Sequence, residues 1–307
     1  MDNSTLPRFR PLNGVHEPSA IQQLPDGRFL VVEDEVNHSL SICTLAPDGA
    51  IHCRALTPGW FEGNEAFWKL DDLEGLTLDA SGHLLAITSH SRDGDGDEKK
   101  ARDKLVRFRI EGDRVTDTRV VKGLKRALIS AHPVLASAAA KLDVKTDGGL
   151  NIESLEMAPD GGRLLIGFRS PLMDGRAIIA SVLNAQTVFE GEALPHISPQ
   201  LDTLDLDGHG LRSLSYVPAL KGYVLISGPV AREQVQFRLW FWSGERGGAA
   251  RPITVGGLPG FEHAEGVSPA QIGDRQCLIL VSDDGSRDAG RFGRFLVIDL
   301  ELLQIGD

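Results

Sequence analysis

One degenerate pattern recurs along the chain, and no other feature constrains its folding more. PSAIQQLPDGRFLVVED from Pro18, LEGLTLDASGHLLAITSHS from Leu73, IESLEMAPDGGRLLIGFRS from Ile152, LRSLSYVPALKGYVLISGP from Leu211 and AEGVSPAQIGDRQCLILVSDD from Ala264 share one order. Each opens with an apolar residue or Pro, a variable residue, a small residue and an aliphatic, then passes through a turn into a second aliphatic stretch. Such self-similarity marks an architecture of repeated supersecondary units. Pro-Asp-Gly, Ala-Ser-Gly or a similar group separates the two apolar runs, which is hairpin chemistry. The second run is continuous rather than alternating, as in Phe29–Val32, Leu84–Ile87, Leu164–Ile166, Tyr223–Ile226 and Leu278–Val281, so those strands are expected to be buried on both faces.

A further strand-like run follows each hairpin: Ser39–Leu45, Lys104–Ile110, Ala177–Leu183, Phe237–Trp242 and Arg294–Leu300. Three or four antiparallel strands per unit predict an all-β, five-bladed β-propeller, with six blades as the alternative. The long interval between Glu74 and Glu153 holds Leu124–Leu142, an Ala-rich stretch with helical spacing, read as a helical insertion between blades 2 and 3 that Pro133 interrupts. Thr5–Leu12 is placed to supply the outermost strand of the last blade and close the ring. No low-complexity linker divides the chain, so residues 1–307 are expected to form a single domain with repeats starting near 18, 73, 152, 211 and 264. The 34 Gly and 16 Pro among 41% hydrophobic residues suit many short strands and frequent turns.

In a propeller the innermost strands line the axis, so the variable residues at their starts face one another. That ring reads Ser19, Glu74, Glu153, Arg212 and Glu265, and the small residues beside it (Ala20, Gly75, Ser154, Ser213, Gly266) let the inner strands crowd together. Three carboxylates in one narrow space repel. Arg212, between Glu153 and Glu265 in blade order, supplies one compensating charge and leaves two negative charges over. A divalent cation would neutralise them, and oxygen donors favour Ca²⁺ held by Ser19, Glu74, Glu153 and Glu265. The competing reading is a metal-free Glu/Arg plug that pins the blades. Loops about the same mouth carry Glu33, Asp34 and Glu35, then Ser89, His90, Ser91 and Arg92, then Arg169, then Ser282, Asp283 and Asp284. Arg92, Arg169, Arg212 and Asp34 are candidates for contacting a small anionic ligand, and His90 or Asp283 for moving protons.

The formal net charge of −11, without a basic stripe, excludes a phosphate-tracking nucleic-acid binder. No apolar run nears the ~18 residues of a membrane span. Met1–Arg10 lacks the basic and apolar segments of a signal peptide, so the expectation is cytoplasmic as given, or exported if a leader has been trimmed. Cys43 and Cys53 are equidistant from the turn at Pro47-Asp48-Gly49, which sets them opposite each other across a hairpin. Two small buried residues are preferred there to a bridge.

The tetrapeptides LEGL, IESL, LRSL and AEGV, with His16-Glu17-Pro18-Ser19 before the first strand, resemble a bacterial family of uncharacterised propeller-like proteins over nearly the whole chain. Through Ser19, Glu74, Glu153 and Glu265 the chain is more distantly similar to the calcium-activated nucleotidases (apyrases). That resemblance implies five blades and a central Ca²⁺ held by Glu and Ser residues, and it departs at Arg212, which cannot ligate a metal. Asp93–Glu98 is read as a solvated loop, because Gly is missing from its sixth position and Lys104 stands where a calcium loop needs Glu. HExxH, CxxC, GxSxG, P-loop and strand-following GxGxxG patterns are absent. Two functions follow: a propeller of unknown function binding a ligand or metal at its charged axis, which is preferred, and a Ca²⁺-dependent hydrolase of a phosphate or other anionic ester.

Overall fold

The computed structural model describes residues 7–34, 39–58, 64–143, 148–191, 193–230, 236–258, 260–261 and 263–306. The chain is mostly β and propeller-like. After a short strand β1 (Arg10–Asn13), each repeat becomes an antiparallel meander whose first strand begins at the repeated tetrapeptide. These are β2 (Pro18–Gln23), β3 (Phe29–Glu33), β4 (Leu40–Leu45) and β5 (Ile51–Ala55), then β6 (Leu73–Leu78), β7 (Leu84–Thr88), β8 (Leu105–Glu111) and β9 (Arg114–Val121). The third unit is β10 (Asn151–Met157), β11 (Leu164–Ser170), β12 (Ala177–Val182) and β13 (Asp202–Leu204). The fourth is β14 (Gly210–Val217), β15 (Gly222–Gly228), β16 (Arg238–Trp242) and β17 (Arg251–Val255), and the fifth β18 (Ala264–Ile272), β19 (Arg275–Ser282) and β20 (Arg294–Asp299). The C-terminal β21 (Leu303–Ile305) adds to β17.

The first strands pack in a closed cycle: β2 on β6, β6 on β10, β10 on β14, β14 on β18, and β18 back on β2. The ends of the chain meet through β1, which pairs antiparallel with β20 and parallel with β5 and so fuses two meanders into one 8-stranded sheet. Thr5 and Leu6, expected in that closing strand, lie outside the described residues.

Apolar side chains sit between neighbouring sheets. Leu30, Phe67, Leu76 and Phe108 fill the space between the first and second, while Leu211, Leu225, Trp240 and Ile179 fill that between the third and fourth. A single turn α1 (Glu65–Trp68) precedes the second unit, and the inserted helices α2 (Leu124–Ala131) and α3 (Pro133–Ala139) add their apolar faces to the core shared by the second and third sheets. Leu124, Leu128 and Leu135 bury against Ile152, Ile178 and Phe189. Pro133 stands in the first turn of α3, where its missing N–H costs nothing, and the chain bends at His132.

Near the axis the backbones touch. A Cβ at Gly75 would lie 2.7 Å from the amide nitrogen of Leu155 in the next unit, and one at Gly266 would lie 2.8 Å from the Cα of Ala20. Any larger residue at either position would push two inner strands apart.

One expectation is corrected. Cys43 and Cys53 are directly opposed in the β4–β5 register, with Cα atoms 4.0 Å apart, and they form a disulfide. Hairpin pairing brings the two sulfurs within bonding range, which the spacing about the turn allowed and composition did not favour.

Candidate functional site

Each first strand contains a β-bulge at the same place. Leu73 pairs with Thr88 and Gly75 with Ile87, leaving Glu74 without a partner. The same slip leaves Ser19, Glu153, Arg212 and Glu265 unpaired in their strands. A bulge frees one residue from the ladder and re-aims its side chain. The third unit carries a second slip that releases Arg169 on β11, opposite Glu153. The repeat therefore encodes a ring of released side chains, and sequence alignment and backbone register select the same residues.

On the third and fourth units the ring is tightly paired. Glu153, only 3% exposed, receives Arg212 Nη1 at 2.8 Å on Oε2, and on Oε1 Arg169 Nη1 at 3.2 Å and Asn151 Nδ2 at 2.8 Å. Arg212 Nη1 also reaches Glu265 Oε1 at 3.0 Å and Oε2 at 3.1 Å. The Arg212 guanidinium lies 5.3 Å from the Phe237 ring centre, while its Nε is buried without a hydrogen-bond partner. Arg169 Nε donates to the Pro229 carbonyl at 3.0 Å, which fixes its direction. These contacts hold Arg212 as a cation.

The opposite wall is acidic. Glu74 makes no hydrogen bond or ion pair among the described residues. Desolvation raises its pKa well above the usual carboxylate range, and the charges of Glu153, Asp72, Asp34 and Glu265 raise it further. Its side chain still meets water through the mouth, so this is the desolvation of a deep cleft and not of a sealed core. Burial, opposed by Arg212 and reinforced by Glu153, pushes Glu265 up to about 8. Asp34 is exposed at the rim, yet the protein packed about its carboxylate and the Asp72 charge beside it push it up to about 8 as well.

Asp72, by contrast, has donors of its own. Arg102 Nη1 lies 3.0 Å from Asp72 Oδ2, which also accepts from the Ser89 hydroxyl and, at 3.1 Å, from the Ser91 hydroxyl. Arg102 Nε binds Asp71 Oδ2 at 2.9 Å. One turn recurs at the rim: Asp34 N donates to Glu17 O, Ser89 N to Asp72 O and Asp283 N to His263 O. Asp72 and His263, at equivalent positions, both have left-handed backbones, with φ of 63° and 61°. This turn carries the second strands' acids, Asp34 and Asp283, back over the axis. Asp283 is pushed up to about 6 by burial and by the neighbouring Glu17.

Other expected residues lie elsewhere. His90 is 1% exposed, with Nδ1 2.8 Å from the Thr88 carbonyl and Nε2 3.3 Å from Asp103 Oδ1, although that contact lacks hydrogen-bond geometry. Burial lowers its pKa, and it faces the second sheet's own loop rather than the axis. Arg92 is committed to the insertion: Nη1 donates to Gly96 O at 3.0 Å, Nε to Ala139 O at 3.4 Å, and Nη2 pairs with Glu98 at 3.4 Å. Glu33 is buried, accepting from the His16 amide at 2.9 Å and pairing with Arg287 at 3.2 Å. Ser19 is buried beside the ring. Glu35 lies outside the described residues.

Among the described residues, no three His, Cys, Asp or Glu side chains converge as metal ligands. Of the four expected ligands, Glu153 already spends both oxygens on protein donors. Sequence reasoning missed Arg102, on a 3₁₀ turn at Lys100–Arg102, as well as Asn151 and Asp72. The last two stand two residues before Glu153 and Glu74, so extending the repeat alignment backwards would have found them.

Residues 65–291 match the family described as "Protein of unknown function (DUF3616)". No curated protein matches the chain. Among solved structures, a thermostable family-43 glycoside hydrolase is similar over 97% of this chain and 96% of its own, with TM-score 0.51 and 11% identity. The PQQ-bound aldose sugar dehydrogenase of Streptomyces coelicolor gives TM-score 0.45 and 14% identity over 99% and 100%. A gluconolactonase of Xanthomonas campestris gives 0.44 and 10% over 95% and 90%. At these identities the first likeness concerns the fold alone.

Proposed function

The chain belongs to the DUF3616 family, and because that family is described only as one of unknown function, we propose a role from the site itself: a five-bladed propeller that binds a cation on the acidic side of its axial mouth, with Ca²⁺ as the inorganic candidate. Five blades are supported by the closed order of the first strands. The observation that carries the binding role is Glu74, a deep carboxylate facing other carboxylates with no cationic partner within ion-pairing distance among the described residues, while Arg212 is spent on Glu153 and Glu265. Such a group either takes a proton or meets an external cation. Glu74, Asp34 and the hydroxyl of Ser19 are hard oxygen donors of the kind Ca²⁺ accepts in flexible geometry, with water completing its shell. Glu153 is assigned instead to holding Arg212, and Glu265 to closing the wall between them.

Arg169 and Arg212 are positioning groups on this reading. They fix two carboxylates and leave the others unbalanced. Asp34 is the rim residue first met by an entering cation. The hydrolytic reading draws on one observation, Asp283 at about 6, which suits it to proton transfer near neutral pH. It has no anion-holding arginine from the second unit, since Arg92 is engaged with the insertion.

The test is isothermal titration of Ca²⁺ into chelator-treated protein. Saturable binding in the wild type that Glu74→Gln abolishes supports the role. Undiminished binding by Glu74→Gln, or none by the wild type at millimolar Ca²⁺, sinks it. Release of phosphate or acid from an ester panel only when Ca²⁺ is present, and its loss in Asp283→Asn, would select the hydrolytic reading.

A further inference from the structure

His263 and Asp283, at the acidic rim, also line a hollow of about 590 Å³ between the start of the chain and the loop after β19. That volume falls within the range of small-molecule sites. Asp283 is common to both spaces: its amide donates to the His263 carbonyl in the rim turn, two residues before Glu265 of the ring, and both residues line the hollow. The hollow therefore adjoins the axial mouth.

Its wall has a definite chemistry. Phe292 keeps 37% of its surface exposed, and His16 lies against its ring at 5.0 Å between centroids with a 52° tilt. Two guanidinium groups border it. Arg294 is neutralised by Asp284 at 2.7 Å, whereas among the described residues Arg291 donates only to main-chain carbonyls, those of Asp284 at 2.6 Å and Gly285 at 3.4 Å. Those bonds fix Arg291 in place without cancelling its charge. An aromatic face beside a fixed guanidinium accepts a flat π-system well, through ring contact and cation–π attraction.

We infer that the hollow seats the aromatic ring of an amine whose ammonium group rests on the axial carboxylates. The inference rests on the cation-binding role proposed above and names the class of ligand that would use it. Asp283 stands between the two spaces, so the alkyl chain joining ring and charge would run past it. A free arene lacks the ammonium that the ring of carboxylates attracts, and a small ammonium ion leaves Phe292 in water.

The experiment compares phenethylamine, methylamine and 2-phenylethanol by calorimetric titration against wild type, Phe292→Ala, Phe292→Trp and Glu74→Gln, with Ca²⁺ titrated into each. Phe292 is at the surface, so its variants are expected to fold. Expected is phenethylamine binding at least about tenfold tighter than methylamine, the return for burying one ring. Phe292→Ala should reduce it to the methylamine level, and Phe292→Trp should restore it. Equal affinity for phenethylamine and methylamine, no phenethylamine binding at millimolar concentration, or indifference to Phe292→Ala overturns the subsite. If Ca²⁺ binding survives in wild type and Phe292→Ala while phenethylamine gains nothing, the subsite alone falls. If neither Ca²⁺ nor methylamine binds the wild type, the axial reading falls and the subsite with it.

Discussion

The two sides of the axial mouth are built from the same repeat position and behave in opposite ways. On the third and fourth units, Glu153 is enclosed by Arg212, Arg169 and Asn151, so its charge is met by three donors within 3.2 Å. On the first and second units, Glu74 stands at the equivalent bulge with Asp34 and Asp72 for neighbours and no donor among the described residues. One side is a finished ion-pair network; the other brings carboxylates together without one. Equivalent backbone does not confer equivalent chemistry, because the neighbouring strand supplies the counter-charge.

The largest expected effect is on the finished side. Arg212→Met leaves two buried carboxylates facing each other and should cost about 3–5 kcal/mol in denaturant unfolding. Adding Glu153→Gln and Glu265→Gln to the same chain should recover most of that loss. A cost under ~1 kcal/mol would mean that the two sides do not differ as described.

The sharper comparison is one substitution made twice. Glu153→Gln removes a carboxylate that holds two guanidinium groups and should cost about 2–3 kcal/mol. Glu74→Gln removes a carboxylate repelled by its neighbours and should leave stability unchanged or raise it by up to about 1 kcal/mol at pH 8. Equal losses from the two variants would erase the distinction.

Much of this division was open to sequence reasoning. The tetrapeptide alignment selected Glu74, Glu153, Arg212 and Glu265, and the structure shows why it could: the slip in the ladder falls on the same repeat position in every unit. The placement of Arg212 against two acids also followed from unit order. What the alignment could not reach depends on loop paths. Arg102 enters from a turn eleven residues beyond Ser91, and His90, with a left-handed φ of 56°, turns inward to its own sheet where a mouth position was expected. Arg92 was unreadable for another reason, since its partners Gly96 and Ala139 come from a loop and an insertion outside the repeat. The Cys43–Cys53 spacing marked an opposed pair, but bonding depends on the register of a hairpin that residue identity alone does not set.

A smaller effect sharpens the comparison through pH. Glu265 and Asp34 have folded-state pKa values near 8, raised from 4.5 and 3.8, and Glu74 shifts the same way. A carboxylate with a raised folded pKa binds its proton more tightly when folded, so its contribution is fully present below about pH 4 and is lost as pH rises through about 8. Stability should therefore decline between about pH 4 and pH 8 on account of the acidic side. In Glu74→Gln/Asp34→Asn the decline should be shallower. A pH profile unchanged by that pair of substitutions would remove the acidic wall from the titration.

The most direct measurement is calorimetric melting at pH 7.5 of chelator-treated wild type, Glu74→Gln and Phe292→Ala, each with and without millimolar Ca²⁺. Ligand present at about a hundred times its Kd adds about 2.7 kcal/mol to a folded state that alone binds it. Expected is a rise of several degrees in wild type and Phe292→Ala, and none in Glu74→Gln. No rise in wild type, or an equal rise in Glu74→Gln, would contradict the binding of a cation on the acidic side of the axis.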